Sequence, residues 1–168
     1  MLFLYGKLYC NMKKKFNFSY DYFASYGELN PDQKKTIDAA IKAQNSAYAP
    51  YSNFKVGAAL LLNDNTLIHG SNQENKAFPS GLCAERVALF SYGAQKHKPG
   101  IKILGVVGSG EMLESNEHFS PCGSCRQVMV EFAIQQEEAF QIILRNFNGS
   151  FNIFDGIHQL LPFTFGGK

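Results

Sequence analysis

Apolar positions along the chain switch between two spacings, and each switch marks an element. Between residues 31 and 47, Ile37, Ala40 and Ile41, followed by Gln44, recur at helical spacing. Asn30-Pro31 supplies the start of that helix, with Asn as cap, Pro as first helical residue and Asp32 in the first turn. Pro50 ends it. Residues 54–62 are a short apolar run containing Val56, Gly57 and three leucines, the length of a buried strand. The turn cluster Asn63-Asp64-Asn65 and a return strand over 66–70 make a hairpin. A loop over 71–81 leads to a helix over 82–95, with Val87, Phe90 and Ala94 on one face. A second apolar strand covers 101–108, and a polar loop runs from there to Pro121. A strong helix follows over 123–136, carrying Val128, Val130, Phe132 and Ile134. Residues 140–147 read as a strand, Asn148-Gly149 as a hairpin turn and 151–154 as the return. A short helix over 155–160 and a Pro-containing tail finish the chain.

This order predicts an α/β protein, three layers deep (α/β/α), around a mixed five-stranded sheet. Alternation in the middle puts helices on both faces, and the leading hairpin makes the sheet mixed instead of parallel. Residues 31–168 form the expected domain. Residues 1–30 are rich in aromatics and Asn without a clear period, and read as an N-terminal extension.

Composition narrows the class. The chain has 168 residues, about one domain, and 45% hydrophobic residues, enough for a sizeable core. A net charge of +2 leaves no basic track for a nucleic-acid polymer. The one dense run, Lys13-Lys14-Lys15, reads as a solvated tail or a translation-start sequence after Met12. No apolar run approaches the ~20 residues that cross a bilayer. The apolar opening Met1-Leu2-Phe3-Leu4 is broken by Lys7 and lacks the pattern of a secretory signal, so the expected location is cytoplasmic. A disulfide framework is then not expected of the four cysteines.

Three of those cysteines carry the chemistry, and Cys10 reads as a spectator. Cys83-Ala84-Glu85 and Pro121-Cys122-Gly123-Ser124-Cys125 each fall where a loop enters a helix, where free N–H groups and the macrodipole favour thiolate. Three thiolates leave a tetrahedral Zn²⁺ one position short, the mark of a catalytic site. A water there has its pKa lowered toward neutrality, and Glu85 is close enough to move its protons without binding the metal. Three thiolates on Zn²⁺ leave a net charge of −1, so cations should offset them. Arg86 and Arg126, each directly after a site residue, are expected to donate to ligand sulfurs. Two other readings stay open on these residues alone. A structural zinc module would take His118 as fourth ligand, and a dithiol protein would use Cys122 and Cys125 in redox exchange.

Beyond the extension, the chain resembles the small homotetrameric, zinc-dependent cytidine deaminases. The blocks that carry the resemblance are the stretch from Ala47 through Pro50-Tyr51-Ser52-Asn53-Phe54 to Ala59, Gly70-Ser71-Asn72-Gln73-Glu74-Asn75, Pro79-Ser80-Gly81-Leu82-Cys83-Ala84-Glu85-Arg86, Ser120-Pro121-Cys122-Gly123-Ser124-Cys125-Arg126-Gln127 and Leu160-Leu161-Pro162 with Phe165. It implies hydrolytic deamination of cytidine and deoxycytidine in pyrimidine salvage, by attack of zinc-activated hydroxide on C4, with one zinc on Cys83, Cys122 and Cys125 and Glu85 as proton shuttle. It also implies Asn72 and Glu74 on the sugar 3′-hydroxyl, Phe54 near the base and Ala84 as a backbone contact to the pyrimidine. Phe165 would stack on the base in a neighbouring subunit of a homotetramer. Phe78 stands where a tyrosine is common, and removes a hydroxyl there. A blasticidin-type nucleoside-antibiotic deaminase shares the zinc logic and is the alternative enzyme.

Overall fold

The computed structural model describes residues 13–110, 118–136 and 138–166. Among the described residues six strands form one sheet: β1 (Asp21–Phe23), β2 (Lys55–Leu62), β3 (Leu67–Ser71), β4 (Ile101–Ser109), β5 (Gln141–Arg145) and β6 (Phe151–Phe154). Three helices join them: α1 (Pro31–Gln44), α2 (Ala84–Gly93) and α3 (Gly123–Gln136). The strand order is β1-β6-β5-β4-β2-β3, with β4 and β5 parallel and every other neighbour antiparallel.

Strand alternation sorts the apolar runs onto two faces. Ala59 and Leu61 of β2, Ile103 and Val107 of β4 and Ile143 of β5 pack with Ile37 and Ala40 of α1. Val56, Ala58, Leu60, Leu104, Val106, Ile142 and Leu144 pack on the other face, with Ala88 and Leu89 of α2 and Met129 and Val130 of α3. A sheet covered on both faces needs near-continuous apolar strands, which explains the runs in β2, β4 and β5.

Local signals hold up well. Asn30 caps α1, its side chain accepting from Gln33 N–H at 2.9 Å, with Pro31 first in the helix. Asn65 takes a left-handed backbone (φ 68°) in the hairpin turn between β2 and β3. The expected α1 is shorter, ending at Gln44, and α2 begins at Ala84 instead of residue 82. The short C-terminal helix is a single 3-10 turn, Ile157–Gln159.

The expected count of five strands is corrected to six. The added strand, β1, comes from the segment read as an extension, and pairs with β6 from Asp21–Ile153 to Phe23–Phe151. Phe23 packs against the α1-side core, and Leu29 is buried in it. Residues 21–29 therefore pair with the sheet and pack on its core. Cys10 and the opening Met1-Leu2-Phe3-Leu4 lie outside the described residues. Among the described residues no helix is long and apolar enough to cross a membrane.

Candidate active site

Both helices on the sulfur-bearing face start at a cysteine. Cys83 is the N-cap of α2, and Val87 N–H closes the first turn on its carbonyl at 3.1 Å. Cys122 immediately precedes α3, where Arg126 N–H bonds its carbonyl at 3.0 Å, and Cys125 lies in the first turn. The positive ends of two helix dipoles thus converge on three sulfurs.

The Sγ atoms of Cys83, Cys122 and Cys125 all lie within 4.8 Å of one another. Cys83 and Cys122 are 3.9 Å apart, and Cys122 and Cys125 are 3.5 Å apart. Sulfurs at ~2.3 Å from a tetrahedral zinc are separated by about 3.8 Å, so this triangle fits the ion. Hydrogen bonding from the Cys125 thiol, then from Arg86 and Cys122, holds the Cys83 thiol down to about 5. The same sharing with Cys83, together with burial, pushes the Cys125 thiol up. Packed thiols that cannot all ionise side by side are what a divalent cation relieves.

His118 is not in this cluster. Its Nδ1 lies 3.4 Å from the Asn152 amide nitrogen, and among the described residues the metal-ligating group holds the three cysteines alone. The four-ligand structural reading therefore loses its fourth ligand.

Glu85 occupies the second position of α2 and is only 3% exposed. Burial pushes its carboxyl up to about 7, with the negative charge of Cys83 adding to the effect, while its own backbone N–H and the Cys125 thiol pull the other way. A carboxyl held near neutrality can both accept and release a proton.

The two arginines behave differently. Arg86 Nη2 donates to Cys83 Sγ at 3.7 Å, the contact expected of it. Arg126 does not take the expected place. Its Nε donates to Pro121 O at 2.9 Å, Nη1 to Leu160 O at 2.8 Å and Nη2 to Ser120 Oγ at 2.6 Å. Three oxygen acceptors are stronger partners for the planar fork than a sulfur, and they draw it away from the cluster.

Beside Cys83 opens a cleft of about 270 Å³, lined by Tyr51, Asn72, Gln73, Glu74, Asn75 and Phe78, and by Gly81, Leu82 and Arg86. Asn72 and Glu74 both line it, and both are already anchored. Asn72 Oδ1 accepts from Val56 N–H and its Nδ2 donates to Phe54 O, each at 2.8 Å, fixing the start of β2. One amide hydrogen and one lone pair remain for a ligand. Glu74 accepts from Tyr51 N–H at 2.9 Å, from Ser52 N–H and from the Ser52 hydroxyl. The Ser52 hydroxyl is the main reason its pKa is lowered, so the carboxylate is ionised at the cleft wall.

Phe54, Ala84 and Phe165 are not gathered there. Phe54 sits in an aromatic cluster, 6.3 Å from Phe119 and 6.2 Å from Phe147 between ring centroids. The Ala84 side chain is fully buried under α2. Phe165 is 85% exposed. Tyr51, Asn75, Leu82 and the Ser52 anchor were given no role from sequence. The signal available was Asn53, whose left-handed backbone (φ 54°) turns the 50–53 loop toward Glu74.

Fold and site together define an α/β protein with a thiolate metal centre at two helix starts and a buried carboxyl beside it. The chain belongs to the family described as the cytidine and deoxycytidylate deaminase zinc-binding region, whose model matches residues 30–138. Zinc is the metal of that family. The chain is 36% identical to the cytidine deaminase of Halalkalibacterium halodurans over 134 residues, 80% of this chain and 94% of that one. It is 40% identical to the cytidine deaminase of Sporosarcina psychrophila, over 80% of this chain and 91% of that one. The crystal structure of the cytidine deaminase from Burkholderia pseudomallei superposes with a TM-score of 0.67 at 42% identity, covering 78% of this chain and 97% of that one.

Proposed function

We propose that this protein hydrolyses cytidine and deoxycytidine to uridine and deoxyuridine, consuming water and releasing ammonia. The observation that carries the reading is the three-sulfur triangle with a buried Glu85 two residues past Cys83, in no salt bridge among the described residues. When bound to those sulfurs, zinc supplies Lewis acidity that lowers the pKa of a coordinated water toward neutrality. Glu85 is placed to take a proton from that water and give it to the pyrimidine ring, and then to carry a second proton, from the hydroxyl added at C4, to the leaving amine. Arg86 offsets the thiolate charge by donating to Cys83. Asn72 and Glu74 offer acceptors for sugar hydroxyls at the cleft wall. The ionised Glu74 carboxylate disfavours a phosphate at that end, which supports a nucleoside over a nucleotide.

The test is a spectrophotometric deamination assay on cytidine, deoxycytidine, deoxycytidylate and cytosine, with and without a zinc chelator. Both nucleosides are expected to react, and the chelator to abolish turnover. Activity confined to deoxycytidylate or to free cytosine would overturn the substrate assignment. Activity that survives complete removal of zinc would overturn the metal's role.

The further part of the reading is a homotetramer with shared active sites. It is supported by exposed aromatics that water disfavours: Phe78, Phe163 and Phe165 are 84–89% exposed. Phe78 lines the cleft of its own chain, and Phe165 would complete that of a neighbour. Phe165→Ala is expected to raise KM about tenfold, the worth of one aromatic stack, while the oligomer by light scattering stays intact. Unchanged KM in an intact oligomer would remove Phe165 from the site.

A further inference from the structure

The sequence placed Arg126 on a sulfur, yet the fold spends its guanidinium elsewhere. Its three nitrogens hold two separate pieces of chain. Nε and Nη2 grip the loop that enters α3, at Pro121 O and Ser120 Oγ, immediately before the ligand Cys122. Nη1 grips Leu160 O, 34 residues further on, where the C-terminal segment leaves the 3-10 turn. The neighbouring Gln127 repeats the grip, its Nε2 donating to Phe165 O at 2.9 Å.

The contacts have a common geometry. The loop Ser120–Cys122 contributes one metal ligand and precedes α3, to which the Arg126 N–H on the Cys122 carbonyl ties its last residue. The C-terminal segment is likewise irregular after Gln159. Both segments rest on the same core, and what bridges them directly fixes their separation further. A planar fork with donors on three nitrogens can satisfy acceptors on both at once. Leu160 and Leu161 pack against the α2/α3-side core, so the far end of the bridge is seated. That end is braced again by the N-terminal segment, where Gln159 Nε2 donates to Ser19 O at 2.6 Å and Tyr20 stacks on Phe154 at 5.3 Å.

We propose that Arg126 is a positioning residue that locks the Cys122 loop to the C-terminal segment. It acts through the placement of Cys122 and of the chain leading to Phe165, and not through its charge on the sulfurs. The inference rests on the zinc-deaminase reading only for its consequence in metal retention; the bridge itself is independent of it.

Arg126→Lys separates the two roles, because it keeps the charge and loses the fork. Amide hydrogen exchange in Arg126→Lys is expected to quicken about tenfold in the peptides covering 119–125 and 160–166. Transfer of zinc to a chromophoric chelator is expected to quicken by a similar factor, the lower end of what supporting hydrogen bonds around metal ligands command. Wild-type values in any of these measurements would overturn the proposal and return Arg126 to a purely electrostatic role. Should Arg126→Lys not fold, Ser120→Ala removes one of the three ties at an exposed hydroxyl. About fivefold faster zinc transfer is then expected, and an unchanged rate overturns the proposal equally. Wild-type protein that neither binds zinc nor deaminates would sink the functional reading, while the exchange experiment would still decide the bridge.

Discussion

Glu85→Gln is expected to lower kcat on cytidine by about 10²–10⁴-fold, the range that a positioned proton-transfer group commands, while the protein keeps its zinc. The two side chains have the same shape, so the pocket that leaves Glu85 only 3% exposed accepts either. The variant differs in one property: an amide cannot take a proton and give it back. Glu85 is not among the three sulfur ligands, so metal content by elemental analysis should stay at the wild-type level. KM should move little, because the cleft beside Cys83 is lined by other residues. A variant that turns over at the wild-type rate would show that protons travel by another route. A variant that loses its zinc would place Glu85 among the ligands and not beside them.

The zinc cluster was legible because its parts are local. Cys122 and Cys125 are three residues apart at a helix start, so one turn brings both sulfurs to one side. Cys83-Ala84-Glu85 carries ligand and carboxyl within the first turn of another helix start. What the sequence could not show was which distant backbone a side chain would meet. The Asn72 amide is used by Phe54 and Val56, 18 and 16 residues away in sequence. Arg126 is captured by Leu160, and nothing in its own neighbourhood announces that acceptor.

Strand β1 was missed for a related reason. Phe16, Phe18, Tyr20 and Tyr22 do alternate, but only three residues pair, and pairing depends on β6, some 130 residues later. An isolated three-residue strand has no stability of its own. Its existence is a property of the finished sheet edge. The apolar runs of β2 and β4, by contrast, state their burial directly in their composition.

The second large effect is expected from a residue that touches no ligand. Gly70 lies in β3, facing α2, where a Cβ would fall on the Ala84 carbonyl oxygen and come within 2.6 Å of the Ala88 nitrogen. Both are helix backbone atoms, so no rotamer change can make room. Gly70→Ala must therefore push α2 off the sheet, and overpacking of this kind costs about 3 kcal/mol. For a domain of this size that lowers Tm by roughly 6–12 °C, measurable by calorimetry. Gly123→Ala is the contrasting substitution: its Cβ would meet nothing within 4 Å, and Tm should hold or rise slightly. An unaltered Tm in Gly70→Ala would mean that α2 is not held by this close approach. The displacement also reaches the chemistry, since Cys83 caps α2 and Glu85 lies in its first turn. An outward shift of about 1 Å opens the 3.9 Å gap between Cys83 and Cys122 beyond the edge of a zinc-thiolate tetrahedron. Zinc content should therefore fall along with Tm, because the close approach that holds the helix also sets the ligand geometry.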